Sequence, residues 1–373
     1  MKYKLLSTAF IFSFLCQSIV AQDHTLVTNS RLILGTYKER TASVSSGDID
    51  GDGDTDILVA NGRHWPGKNR IFFNNGQGLF TVETNLGIQK STTYATELAD
   101  LDGDGDLDIA VGNDMAPNYV YLNDGKGNFT KGSSFGDSYA PTRNLTLSDI
   151  DRDGDIDILI INRGMPNQIC LNNGNGTYTK TIPFGSKKDS TIDVEVADVD
   201  NDNDFDLILA NRDRQPNYVY LNDGNLNFTE KIPFGTGKDN TRSLSVVDLN
   251  KDGFLDIITA NINEPNVIYW GNKNNTYTQS LTFDASLMNS YAITTADVDS
   301  DNNLDIIVGN SENTNMVFYN TNNGQKWIKK QLSKEKFRTY DIIASDINND
   351  GFIDIIEANS DEINRYYINI IKK

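Results

Sequence analysis

Short apolar runs rich in β-branched residues recur along the chain, each ending in Asn: 56–61, 108–113, 157–162, 206–211, 256–261, 305–310 and 354–359. Six residues that are apolar almost throughout predict a strand buried on both faces. A short loop follows, closing on Pro-Asn in four copies (Pro117-Asn118, Pro166-Asn167, Pro216-Asn217, Pro265-Asn266), and then an aromatic strand such as 119–122 or 317–319. Next come an Asn/Asp/Gly turn and a fourth strand at Phe129-Thr130, Tyr178-Thr179, Phe228-Thr229 and Tyr277-Thr278. From there the chain crosses to the strand that feeds the next copy. The pattern predicts an all-β chain with four antiparallel strands per copy.

Immediately before each apolar run stands Asp-x-Asp/Asn-x-Asp-Gly/Asn-x-x-Asp, opening at Asp48, Asp100, Asp149, Asp198, Asp248, Asp297 and Asp346, at steps of 52, 49, 49, 50, 49 and 49 residues. About 50 residues suffice for one four-stranded blade, so seven copies predict a seven-bladed β-propeller. The last copy stops after its third strand, 365–370, while an extra strand, about 25–34, precedes the first copy. We expect that N-terminal strand to complete the last blade, which removes two sheet edges at once.

The motif supplies hard oxygen ligands at positions 1, 3, 5 and 9: Asp48, Asp50, Asp52 and Asp56; Asp100, Asp102, Asp104 and Asp108; Asp149, Asp151, Asp153 and Asp157; Asp198, Asp200, Asp202 and Asp206; Asp248, Asn250, Asp252 and Asp256; Asp297, Asp299, Asp301 and Asp305; Asp346, Asn348, Asp350 and Asp354. Such a set suits Ca²⁺. Position 6, which must turn with positive φ, is Gly or Asn in every copy. An EF-hand would need a Glu at position 12; the first four copies carry Val59, Val111, Ile160 and Leu209 there. A metal-free acidic turn would leave five carboxylates repelling one another within nine residues. We therefore expect up to seven structural Ca²⁺ ions, with the fifth and seventh loops weaker because Asn250 and Asn348 replace an acid.

These windows hold 30 of the 52 acidic residues, and seven divalent ions would take the formal charge from −19 to −5. The acidity argues against nucleic acid as a partner. Lys2 and Lys4, the apolar stretch 5–20 and Ala21 read as an export signal over 1–21, short for a membrane anchor, leaving 22–373 as a single domain. Cys16 falls inside that signal, so Cys170 has no partner for an internal disulfide, and calcium takes over the stabilising role. We expect an exported monomer, outside the cell, on its surface or in a periplasm, with no transmembrane segment after cleavage.

With these motifs the chain resembles the FG-GAP and VCBS repeats of the integrin α-subunit propeller and of many secreted bacterial proteins, and Phe135-Gly136, Phe184-Gly185 and Phe234-Gly235 fit that resemblance. It implies that the metal loop joins strands 1 and 2 of a blade, at the face opposite the ligand-binding mouth.

Six residues before each first Asp, at the start of strand 1, stand Ala42, Tyr94, Arg143, Ile192, Arg242, Tyr291 and Tyr340. Loops between strands 2 and 3 add Arg63, His64, Trp65, Arg163, Arg212 and Arg214. Arg pairs with anions and Tyr or Trp stacks on sugar faces, so this rim suits a glycan, including an anionic polysaccharide, or an extracellular protein. The alternative is a set of solvated loop residues that balance nearby acids. For catalysis the candidates are those of a polysaccharide lyase, with His64 or Tyr94 to abstract the proton and Arg143 to neutralise the uronate. A binding or adhesion module, a lyase and a structural scaffold remain the three classes, and fold alone does not choose among them.

Overall fold

The computed structural model describes residues 24–372. The export signal expected over 1–21 lies outside the described residues, all of which are strand, turn or irregular segment, with no helix. Five antiparallel sheets have four strands each, in chain order from first to fourth. The second strand of every repeat is buried along its whole length, as its apolar run requires.

The Asn that ends each apolar run has a packing reason. In the second repeat Thr93 donates its hydroxyl to Asn113 Oδ1 at 2.9 Å, Asn113 Nδ2 donates to the Pro117 carbonyl at 2.8 Å, and Asn118 Oδ1 accepts the Asn113 amide at 2.7 Å. The pair of asparagines thus satisfies the backbone where the second strand turns into the third. Repeats three and six make the same set with Thr142, Asn162 and Asn167, and with Ser290, Asn310 and Asn315.

The first and last repeats depart from the expected seven separate sheets. They share one seven-stranded sheet, giving six sheets in all. His24–Val27 pairs with Asp354–Ile371, His24 opposite Ile371 and Val27 opposite Ile368. The same long strand pairs with Thr339–Ser345 and, at residues 360–365, with the start of Ile33–Gly47. The N-terminal strand is shorter than 25–34: Asn29 accepts the Arg31 amide on its side chain at 2.8 Å and the Leu32 amide on its carbonyl at 3.2 Å, turning the chain before Ile33. The fourth strands also begin later than expected, at Thr130, Lys180, Glu230 and Ser280. The aromatic residue just before them is taken into the core against the preceding repeat, as Tyr178 packs with Leu101, Val120 and Phe135.

Apolar clusters fill the spaces between neighbouring repeats. A further cluster joins Val44, Ile57 and Phe72 of the first repeat to Ile347, Ile356 and Tyr366 of the last. The first strands pack side by side in chain order, and Thr339–Ser345 packs against Ile33–Gly47. Cys170 is buried and unpaired.

Candidate functional site

Two arrangements of polar side chains lie at opposite ends of the first strands. At the lower end each acidic loop joins a first strand to a second. In five of them the carboxylates at positions 1, 3 and 9 place oxygens within 4.8 Å of one another: Asp48, Asp50 and Asp56; Asp100, Asp102 and Asp108; Asp149, Asp151 and Asp157; Asp198, Asp200 and Asp206; Asp297, Asp299 and Asp305. The backbone builds this convergence. Position 6 has positive φ throughout (Gly53 92°, Asn203 72°, Asn302 67°), and its amide donates to the position 1 carboxylate, as Gly53 does to Asp48 at 3.0 Å. The position 9 acid is pinned by two amides, Ile49 and Asn74 in the case of Asp56.

The position 5 acids, Asp52, Asp104, Asp153, Asp202 and Asp301, are not part of these triads. Each accepts the amide two residues on, in the loop's own turn. Loops five and seven form no carboxylate triad among the described residues. There Asn250 Nδ2 donates to Asp252 Oδ2, and Asn348 Nδ2 to Asp350 Oδ2, both at 3.1 Å. The Asn amide thus donates to the position 5 acid where an Asp at position 3 would repel it.

Burial, ahead of the opposing backbone hydrogen bonds, pushes the position 9 carboxyls up: to about 6 for Asp56 and Asp108, about 7 for Asp157, Asp206, Asp256 and Asp354, and about 8 for Asp305. Buried oxygens Oδ1 of Asp50, Asp149, Asp198 and Asp299 accept no hydrogen bond. A desolvated carboxylate oxygen without a donor is costly unless a cation faces it. The donor set and these orphaned oxygens fit a hard divalent ion.

At the upper end, the pairing of first and second strands slips by one residue in every repeat, at Ala42, Tyr94, Arg143, Ile192, Arg242, Tyr291 and Tyr340. A bulge re-aims the side chain it carries. All but Ile192 line a cavity of about 520 Å³ bounded by the seven first strands; Ile192 turns instead into the core between the fourth and fifth repeats. Deeper in the cavity lie Asp193, Asp341, Glu97 and Glu195. Asp341 accepts the Val44 amide at 3.0 Å, and Asp193 accepts Asn144 Nδ2 at 2.6 Å and the Leu244 amide at 3.0 Å, so two of these acids tie neighbouring repeats together. Burial pushes Glu195 up to about 8, with Asp193 adding to the shift.

The rim side chains touch in a chain of cations and rings. Arg63 lies 4.1 Å over Tyr340, the Tyr340 and Tyr291 rings meet edge to face at 4.9 Å, and Arg242 lies 5.7 Å from Tyr291. Arg143 sits 4.4 Å over Tyr94 and pairs with Asp114 at 2.7 Å. His64 Nδ1 is 2.8 Å from the Tyr94 hydroxyl. Burial, then the Arg63 and Arg143 charges, pull His64 below its usual range, while burial raises Tyr94. Arg212 is pulled down by burial and by the neighbouring Arg242 and Arg163 charges. Arg163 pairs with Asp213 at 2.7 Å. Trp65 turns away from this cavity into a neighbouring one. Arg214 is exposed and lines neither; its backbone, with φ of 62°, donates to Asn240.

Sequence reasoning missed the second left-handed position of the metal loops, position 4, where φ is positive in Gly51, Gly103, Arg152, Asn201, Lys251, Ser300 and Asn349. Gly or Asn in four of the seven was the available signal.

Among curated proteins no match to the sequence is found. In fold the chain is β-propeller-like and is shared by 696 solved chains. One is the crystal structure of BBS1N in complex with ARL6DN, soaked with mercury, at a TM-score of 0.64 and 12% identity over 95% of this chain and 98% of that one. The lead-soaked form of the same complex gives 0.59 and 15% over 90% and 92%. The FG-GAP-like repeat matches in six overlapping windows, 48–111, 100–160, 149–209, 198–259, 248–308 and 297–357, so that the chain belongs to the FG-GAP-like repeat family.

Proposed function

We propose that this chain is an exported, calcium-stabilised, seven-bladed β-propeller that acts as a monomeric binding or adhesion module, holding its partner at the Arg- and Tyr-lined mouth of the central cavity. The seven-stranded sheet is read as two blades, the first and the last, joined where 360–365 meets the start of Ile33–Gly47. The N-terminal strand then completes the last blade. Support comes from the first-to-last apolar cluster and from the first strands that together bound one cavity. Ca²⁺ is the cation the five triads would hold, and its role is to neutralise and tie down the loops.

The observation that carries the binding reading is the continuous contact of Arg63, Tyr340, Tyr291 and Arg242 on one side of the mouth and Arg143, Tyr94 and His64 on the other. Arg242 and Arg163 crowd Arg212 on an acidic protein, and an anion placed among them relieves that repulsion, while Arg143 and Arg63 already pair with Asp114 and Asp361. The partner is a glycan bearing carboxylate or sulfate groups. A protein partner is the second reading of the same mouth, favoured by the complex named for the structural neighbours. A glycan array probed with and without a calcium chelator tests this: anionic glycans are retained by the wild type, and Arg143→Ala with Arg242→Ala abolishes retention. Unchanged retention in that double variant would remove the basis of the reading.

Lyase chemistry is favoured by one observation, the 2.8 Å contact of His64 Nδ1 with the Tyr94 hydroxyl beside Arg143. His64 held below its usual range is neutral at pH 7 and able to take a proton. Incubation with uronic acid polymers separates the readings, since elimination produces an unsaturated, ultraviolet-absorbing end and binding does not.

A further inference from the structure

Next to the mouth lies a second cavity, of about 400 Å³, lined among others by Trp65, Arg40, Lys68, Arg70 and Lys90. The turn 62–65 separates the two. Gly62 has φ of 138°, and a Cβ there would lie 2.2 Å from the Ser91 carbonyl oxygen and 2.7 Å from the Thr93 amide, so only glycine fits. The Gly62 and Arg63 amides both donate to the Arg40 carbonyl, at 3.0 and 3.2 Å, and the Trp65 amide donates to the Gly62 carbonyl at 3.1 Å. His64 takes a left-handed φ of 68°. Gly67 exchanges two 2.9 Å backbone hydrogen bonds with Ser91 on the return leg. A backbone fixed at this many points sends consecutive side chains to different places: Arg63 to Tyr340, His64 to Tyr94, and Trp65 outward over the second cavity.

Trp65 is 67% exposed, so its ring stands open to solvent on a firmly held segment. Around it stand four cations and one acid, Glu39. Arg40 stands 6.0 Å from the ring centre while pairing with Asp361 at 3.2 Å. Arg70 is committed to Glu39 and Glu83, at 2.9 and 3.0 Å. That leaves Lys68 and Lys90, which have no carboxylate partner among the described residues.

We propose that this cavity is a second subsite for an extended anionic glycan, one ring of which stacks on Trp65 with its acidic substituent at Lys68 and Lys90, while an earlier unit sits at the mouth. The inference rests on the reading of the mouth as an anion-binding site and adds the length and path of the ligand. The indole offers an open flat face for sugar C–H groups, and cations at its edge match carboxylate or sulfate substituents. The rigid turn holds this platform in place before the ligand arrives, so little ordering entropy opposes binding there.

The test uses the full chain, saturated with calcium, and chondroitin sulfate oligosaccharides of increasing length, with poly-glutamate as a charged peptide comparison, by isothermal calorimetry. Affinity rises with oligosaccharide length until both subsites are filled. Trp65→Ala and the pair Lys68→Ala with Lys90→Ala each lower affinity for the long oligomer by about tenfold and remove the gain with length. Arg143→Ala with Arg242→Ala lowers affinity at every length. Thermal melting checks that the variants remain folded. Binding that is independent of length, or a long oligomer indifferent to Trp65→Ala, overturns the second subsite while leaving the mouth intact. Poly-glutamate bound more tightly than the glycan, through Trp65, overturns it in favour of an acidic peptide. Failure of every oligosaccharide removes the glycan reading of the mouth and the subsite together.

Discussion

Asn364 of the last repeat donates from Nδ2 to the hydroxyl of Thr41 in the first, at 3.1 Å. The same bond joins neighbouring repeats elsewhere, from Asn69 to Thr93, Asn118 to Thr142, Asn217 to Thr241, Asn266 to Ser290 and Asn315 to Thr339. The first and last repeats are therefore joined by the contact that joins five of the six consecutive pairs of repeats. Asn364 Oδ1 also accepts the buried Asn359 amide at 2.7 Å. Asn364→Ala leaves that donor unsatisfied and costs roughly 1–3 kcal/mol. Thermal denaturation of the variant in saturating calcium should show the loss, and an unchanged midpoint would mean that the ends do not depend on this bond.

Loops five and seven show how the motif arranges itself with an amide at position 3. Asn250 donates to Asp252 where an Asp at that position would repel it. Asp102→Asn gives loop two the same amide. In calcium the variant should melt below wild type, since a site that binds at a tenfold excess of ion over its dissociation constant contributes about 1.4 kcal/mol. In chelator the order should reverse, because one repulsive charge is gone. The same order in both conditions would show that Asp102 is not a ligand.

Much of this was legible in the sequence, and for identifiable reasons. The second strands are buried on both faces, so 157–162 and its equivalents read as unbroken apolar runs, and the loop acids recur at fixed spacing. What depended on pairing was not legible. That Tyr94 and Arg143 sit on bulges follows only from the slip in register, and the late start of the fourth strand at Lys180 follows from the packing of Tyr178 against the preceding repeat. The separate path of Trp65 needed Gly62, whose φ no local pattern announces. Arg152, Lys251 and Ser300 likewise hide the left-handed fourth position of the metal loop behind ordinary side chains.

The N-terminal strand gives a prediction about association. Removing residues 24–27 strips Ile368 to Ile371 of an antiparallel partner and exposes an edge that already carries two partly exposed isoleucines, Ile370 and Ile371. Unpaired edges template self-association. The truncated protein should melt earlier and elute as dimers or larger species in size-exclusion chromatography. A truncated protein that stays monomeric at the wild-type melting temperature would show that the strand contributes nothing to either.

Glu195 sets the pH dependence expected of the cavity. Burial and the neighbouring Asp193 push its carboxyl up to about 8 in the folded protein, while an unfolded chain leaves it near about 4.3. Below the unfolded value both states hold the proton and Glu195 costs nothing. As pH rises, the unfolded chain gives up its proton first, so stability falls steadily until the folded protein also ionises, above about 8. Glu195→Gln cannot ionise and removes this slope. The variant should match wild type near pH 4 and exceed it near pH 9, by on the order of 5 kcal/mol and a correspondingly higher melting midpoint. The loop carboxylates titrate alike in both proteins, so the difference between them reports Glu195 together with Glu97, the cavity acid its charge raises. An equal difference at both pH values would assign the effect of the substitution to packing rather than to charge.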